Sequence, residues 1–283
     1  MKTSTSKRLR WNVAIWLAAG LFMTSTAGMA SGPIMPDPKA EARHQPQVEE
    51  TANGIPLVNI TAPSSGGVSR NEYETFNVPD KGAILNNSYT LSKTELAGYV
   101  QGNNNMAERP AKIIVNEVTG AGSTSMDGFL EVAGNRADVV IANPNGITVN
   151  GGGFINTGKA FLTTGKPVYD GEDHLQRFDI TGGDILIEGK GLGGKETGSL
   201  AILSRAVKIN AGIWAKDLHI TTGANTVDAK TLEASAIEGK GERPAFALDT
   251  AAIGGMYAGR ITLVGTEKGL GVNNSGTWSA EDN

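Results

Sequence analysis

Short apolar runs broken by glycine, asparagine and aspartate set the pattern of this chain. From Ile113-Ile114-Val115 onward, brief β-branched segments alternate with such corners and no helical period persists. Runs of this kind predict strands. Centres at Ile141, Phe161, Ile185, Ile202 and Ile220 recur at intervals of about 20 residues, within the range of solenoid repeats. Earlier strand-like pieces lie at Ile55 to Ile60, Phe76 to Val78 and Ala83 to Leu85. The one helical expectation is Ser92 to Val100, interrupted by Gly98.

Consecutive short strands without room for crossover helices fit an antiparallel sandwich or barrel, or a parallel β-helix. Two features favour the β-helix. The corners differ in length, and the residues expected to face inward (Ile141, Ile147, Ile155, Leu162, Ile187, Ile202, Ile209 and Ile220) are aliphatic, as stacked coils require. Composition agrees with an all-β chain: 38 glycines, 6% aromatics and no cysteine. Without cysteine there is neither a disulfide framework nor a thiolate-ligated metal, so burial and backbone pairing must hold the fold.

The first residues carry Lys2, Lys7, Arg8 and Arg10, then the apolar stretch Trp11 to Phe22, then the small residues Ser25, Ala27, Gly28 and Ala30. This is the layout of a secretory signal peptide over residues 1–30, with cleavage after Ala27 or Ala30. Its apolar core is shorter than the ~20 residues a membrane-spanning helix needs. Residues 31–52, with Pro33, Pro36, Pro38 and Pro46 among charged side chains, predict a flexible leader, and residues 53–283 one domain. Loss of four basic residues with the signal makes a formal net charge of −4 more negative, which argues against nucleic-acid binding.

The segment Asn143-Pro144-Asn145-Gly146-Ile147 joins two apolar runs as a tight corner. Proline pushes Asn143 toward extended backbone, and Asn145-Gly146 accepts positive φ angles. The same string resembles the motif of two-partner secretion exoproteins, the filamentous-haemagglutinin-like adhesins, haemolysins and contact-dependent inhibition toxins. Further blocks are similar in order, among them Gly67 to Tyr73, Leu85-Asn86-Asn87, Leu130 to Gly134, Gly153 to Thr157, Ile253 to Ala258 and Leu263 to Gly269. The resemblance implies a right-handed parallel β-helix with an N-terminal antiparallel cap and a small extra-helical sheet. It also implies export, by way of the periplasm of a Gram-negative-type envelope, through a cognate outer-membrane transporter to the medium or cell surface. Adhesion to host or neighbouring-cell receptors would follow.

Two departures from the family pattern stand out. An NPNL-type first motif is degenerate here, as Asn103-Asn104-Asn105-Met106, and a cysteine pair of toxin-like members is replaced by Val149 and Gly152, which points away from that subgroup. The chain is expected to be either a stand-alone exoprotein capped by its last residues or the N-terminal part of a longer adhesin. No catalytic, cofactor or metal site is expected. Gly189 to Gly194 fits a dinucleotide pattern, but no helix follows it to hold a pyrophosphate. His44, His174 and His219 lack metal-ligand spacing. The competing expectation is a β-helical polysaccharide lyase, using Asp170, Glu172, Asp173, Asp179 and Asp184 to hold calcium, with Arg177 or Arg205 as the basic group.

Overall fold

Parallel pairing of each apolar run with the run one coil later builds the protein. The computed structural model describes residues 32–107 and 109–281. The expected signal peptide at 1–30 lies outside them. Each coil visits three sheets. The first contains Val68–Phe76, Ile113–Val118, Ala137–Ala142, Thr157–Thr163 and Ser199–Ser204; the second Pro56–Asn59, Ala83–Asn87, Phe129–Gly134, Gly152–Ile155 and Leu192–Gly194. The third, six-stranded, holds Thr124–Met126, Ile147–Val149, Asp184–Ile187, Ala206–Ile209, Phe246–Thr250 and Gly271–Asn274. The long strands Gly212–Thr222 and Gly255–Gly265 bend through the second sheet into the first. This is a parallel β-helix, and its parallel crossovers are right-handed.

In-register pairing stacks like on like. Ile141 aligns with Leu162, Leu162 with Ile202, Ile202 with Ile220 and Ile220 with Leu263. On the third sheet Ile147 aligns with Ile185, Ile185 with Val207 and Val207 with Leu248. The rows meet in one interior cluster that includes Ile141, Ile147, Leu162, Ile187, Ile202, Ile209 and Ile220. Burying each aliphatic side chain contributes about 1.5–3 kcal/mol.

Residues between those rows point outward, yet many are also apolar. Val115, Val140, Phe161, Ala201 and Leu203 pack under Phe178, Ile180 and Val227. The latter belong to a four-stranded antiparallel sheet of Lys166–Tyr169, Leu175–Ile180, Asn225–Asp228 and Ala234–Ala236. Covering both faces explains why Val139-Val140-Ile141-Ala142 is apolar without alternation.

Three expectations are corrected. The span expected as a flexible leader at 31–52 contributes two strands within its described residues: Ile34–Pro36 pairs antiparallel with Val68–Phe76, and Gln47–Glu50 with Pro56–Asn59. Its prolines sit where the ladder needs no donor, Pro36 at a register shift and Pro33 accepting from Asn77 N–H at 2.8 Å. The expected helix over Ser92 to Val100 is instead the hairpin Ser92–Thr94 and Gly98–Val100. There Gly98 takes φ +72, Thr94 Oγ1 donates to the Gly98 carbonyl at 2.8 Å, and the Glu131 carboxylate accepts from Glu95 and Leu96 N–H at 2.7 and 2.9 Å. Ile155 is only half-buried, and its neighbour Phe154 fills the core. Three preceding glycines carry no side-chain signal, so an alternation read there slips by one residue.

Candidate functional site

The Asn143 corner carries the chain from the first sheet to the third, between Ala137–Ala142 and Ile147–Val149. Asn143 is fully buried, whereas Pro144 and Asn145 are exposed. Its Oδ1 accepts from Asn145 N–H at 2.9 Å and its carbonyl from Gly146 N–H at 3.1 Å, which nests an Asx turn inside a β-turn. Its Nδ2 reaches back one coil and donates to the Gly122 carbonyl at 2.9 Å and to Thr124 Oγ1 at 3.0 Å. Its backbone N–H donates forward to the Thr163 carbonyl at 2.9 Å. Asn145 Nδ2 adds a bond to the Gly120 carbonyl at 2.8 Å. One asparagine thus staples three successive coils, Gly146 supplies the positive φ of +109, and Ile147 enters the core.

Asn103 to Met106 is built the same way at a different corner. Asn103 is buried, Asn104 exposed and Met106 buried in the main core. Asn103 Oδ1 accepts from Asn105 N–H at 2.9 Å and its carbonyl from Met106 N–H at 3.1 Å. Asn103 Nδ2 donates to the carbonyls of Ile60 at 2.8 Å and Asn86 at 3.0 Å, and Asn105 Nδ2 to Ile60 at 3.1 Å. Superposing roles, Asn104 takes the place of Pro144 and makes no hydrogen bond in the corner. The degenerate motif therefore keeps the hydrogen-bond pattern of the intact one, although Met106 does not share the positive φ of Gly146. Sequence reasoning missed the seats of both clamps, Ile60, Gly120, Gly122 and Thr124. Gly120 is needed there because a Cβ would collide with the Glu74 carbonyl, a contact visible only in the fold.

The acids of the lyase expectation do not converge. Asp170 folds its own loop by accepting from Glu172 and His174 N–H, Asp173 pairs with Arg43, Asp179 with Arg177 and Asp184 with Lys208. Arg205, between the strands Ser199–Ser204 and Ala206–Ile209, is held by Glu267 through two bonds of 2.9 Å, whereas Arg177 lies in the strand Leu175–Ile180. Among the described residues no group of three or more histidines, aspartates or glutamates gathers to hold a metal. Gly189 to Gly194 is a corner leading into the strand Leu192–Gly194, with positive φ at Gly189 and Gly191. Val149 and Gly152 adjoin, a Cβ on Gly152 lying 3.0 Å from Val149 Cγ1. His219 lies under the first sheet's outer face, its pKa lowered by burial, and His174 bonds Asp170. His44, expected in a flexible leader, is buried against Glu72.

The sequence matches the TPS secretion domain family over residues 33–283. It is 47% identical over 253 residues to a Yersinia pestis protein named Toxin CdiA, and 47% identical over 249 residues to a 16S rRNA endonuclease CdiA of Enterobacter cloacae. These alignments cover 89% and 87% of this chain but 8% of each relative, so the chain spans a small fraction of the proteins it matches. The crystal structure of a filamentous hemagglutinin secretion domain superposes with a TM-score of 0.79 at 35% identity, covering 88% of this chain and 84% of that one. Relatives named as toxins overturn the expectation, drawn from Val149 and Gly152, that the chain stands apart from the toxin-like subgroup. Domains of this kind travel to the cell surface or medium of Gram-negative bacteria through a cognate outer-membrane transporter. The chain is a β-helical secretion domain and belongs to the TPS, or two-partner secretion, family.

Proposed function

We propose that this chain is the export module of a larger exoprotein of the CdiA or filamentous-haemagglutinin kind, and that its two asparagine clamps act twice. Within the transporter they are read in the unfolded chain. Outside, they close successive corners as the coils stack. The observation that carries this is burial: Asn103 and Asn143 are 2% and 0% exposed, so no partner can touch their amides once the domain has folded. Of the asparagines and proline in the two corners, Asn104, Pro144 and Asn145 are exposed and Asn105 is half-buried, which leaves these for contact by a partner of the folded domain. A toxic action would reside elsewhere in the exoprotein, while this domain's own outer surface contributes to haemagglutination and to contact with neighbouring cells.

Co-expression with and without the neighbouring transporter gene tests the export role, with folded protein in the medium as the readout. Secretion only with the transporter is expected, and Asn103→Ala and Asn143→Ala should each lower it. Equal yield without a transporter would refute the proposal. Agglutination of red cells by the purified domain, and its absence, decide the adhesive part.

A further inference from the structure

A charge cluster lies where the N-terminal cap meets the first two coils, and the motif corners do not use it. Arg70 of the strand Val68–Phe76 sits at its centre. Its Nη2 lies 2.8 Å from Glu72 Oε1 and 3.5 Å from Glu117 Oε2, and its guanidinium carbon rests 4.4 Å above the Tyr169 ring. From the cap, His44 Nδ1 lies 3.0 Å from the same Glu72 Oε1, so the neutral imidazole must donate its Nδ1–H there. Arg43, the next cap residue, reaches Asp173 of the extra-helical sheet's turn at 2.6 Å. A cleft of about 360 Å³ opens between cap and first coil, lined by Arg43, His44, Arg70, Asn105 and Asp173. Four elements therefore meet on one guanidinium: the cap, two successive coils and the extra-helical sheet.

The bonding is incomplete in a telling way. Glu117 Oε2 and the Tyr169 hydroxyl are buried and make no hydrogen bond. A carboxylate in that position would be a second negative charge competing with Glu72 for one arginine. We propose that Arg70, Glu72, Glu117 and His44 form a proton-compensated latch, which holds the cap on the first two coils across a wide pH range by keeping a proton on Glu117 and none on His44.

The charged and titratable groups facing His44 are Arg70, Glu72, Arg43 and Asp173; those facing Glu117 are Arg70, Glu72, Lys166 and Tyr169. Burial, and then the Arg70 charge, holds the His44 pKa below its ordinary 6.5, against the pull of Glu72. Burial pushes Glu117 from 4.5 up to about 7, with Arg70 opposing. The two linkages have opposite signs. The Glu117 contribution is fully present below pH 4.5 and lost as the pH rises through about 7. The His44 contribution is fully present above pH 6.5 and lost as the pH falls. Between those limits docking releases a proton from the imidazole and takes one up on the carboxyl. The number of protons bound changes little, and so does the strength of the latch.

Hydrogen exchange of the cap amides, corrected for intrinsic rates, tests this on the whole chain. Between pH 5 and 7 the wild-type protection at Asp37, His44 and Gln45 should vary less than in either single variant. Glu117→Gln unmasks the histidine, so protection should fall on acidification from pH 7 to 5, by at most about 25-fold. His44→Gln unmasks the carboxyl, so it should fall about fortyfold as the pH rises over the same interval. Amides of Gly212–Thr222, far from the cluster, should not respond. Slopes of the same sign in the two variants, or no slope in either, would overturn the latch. Should a variant not fold, the carbon-13 titration of the wild-type Glu117 carboxyl decides: a midpoint near neutrality supports it, and an ordinary carboxylate midpoint overturns it.

Discussion

Replacing Asn143 by Ala should destabilise the domain by about 3 kcal/mol. The estimate follows from what the side chain leaves behind. Gly122 O keeps a weaker donor in Asn145 Nδ2 at 3.4 Å, but Thr124 Oγ1 and Asn145 N–H lose their partners at 3.0 and 2.9 Å. Thr124 is buried, and each orphaned group of this kind costs about 1–3 kcal/mol. Removing the desolvated amide itself returns part of that sum. Urea unfolding followed by far-ultraviolet circular dichroism should therefore show the folded-to-unfolded ratio reduced by about two powers of ten. Two controls bracket the cause. Pro144→Ala touches an exposed residue and should change stability by less than about 1 kcal/mol, through the unfolded chain. Asn143→Asp keeps the acceptor for Asn145 N–H but turns a carboxylate oxygen toward the Gly122 carbonyl, so at neutral pH it should cost more than alanine and recover on acidification. A loss under about 0.5 kcal/mol for Asn143→Ala, the size of an ordinary surface change, would refute the staple and leave the motif a recognition signal alone.

Asn104→Pro should restore the family pattern and stabilise by about 0.4–1 kcal/mol, seen as a rise in melting temperature, because the residue is exposed and its N–H is not used in the corner. Gly98→Ala and Gly191→Ala both place a side chain at positive φ, +72 and +80, yet should differ sharply in urea midpoint. The first opens onto empty space and should cost about 1 kcal/mol, while the second drives a Cβ into the Gly212 carbonyl and should cost about 3 kcal/mol or more. Glu267→Gln should cost about 3 kcal/mol at neutral pH by leaving the buried Arg205 short of its partner. The Arg205 hydrogen bond holds the Glu267 pKa below 4.5, so this stability is present above that pH and lost on acidification, and the gap between variant and wild type should narrow in acid denaturation curves.

The repeating part of the fold was legible because its physics is local. Aliphatic residues at Ile141, Leu162, Ile202 and Ile220 must face a common interior, and short corners leave no room for crossover helices, so strand type and stacking followed from pattern. What pattern could not reveal was pairing at a distance. The cap has the prolines and charges of a leader, and while Gln47–Glu50 pairs with nearby Pro56–Asn59, Ile34–Pro36 finds its partner more than thirty residues away in Val68–Phe76. His44 carried no sign of burial for the same reason: Glu72 and Arg70, which accommodate it, lie on another strand.

The motif was legible as a corner, but its seats were not. Nothing in Asn103-Asn104-Asn105-Met106 says that it shares a construction with Asn143 to Gly146, since the proline and the glycine are both replaced. Hydrogen bonding supplies the equivalence. The first asparagine accepts from the third residue and donates to the coil beneath, and neither act depends on the second position. It follows that the asparagines should tolerate the least change and the proline position the most. A family signature that appears degraded when read as letters is then intact when read as bonds. The two motifs differ at the exposed second position, which the structure leaves free, and at the fourth, where Gly146 takes a φ of +109 and Met106 instead fills the core.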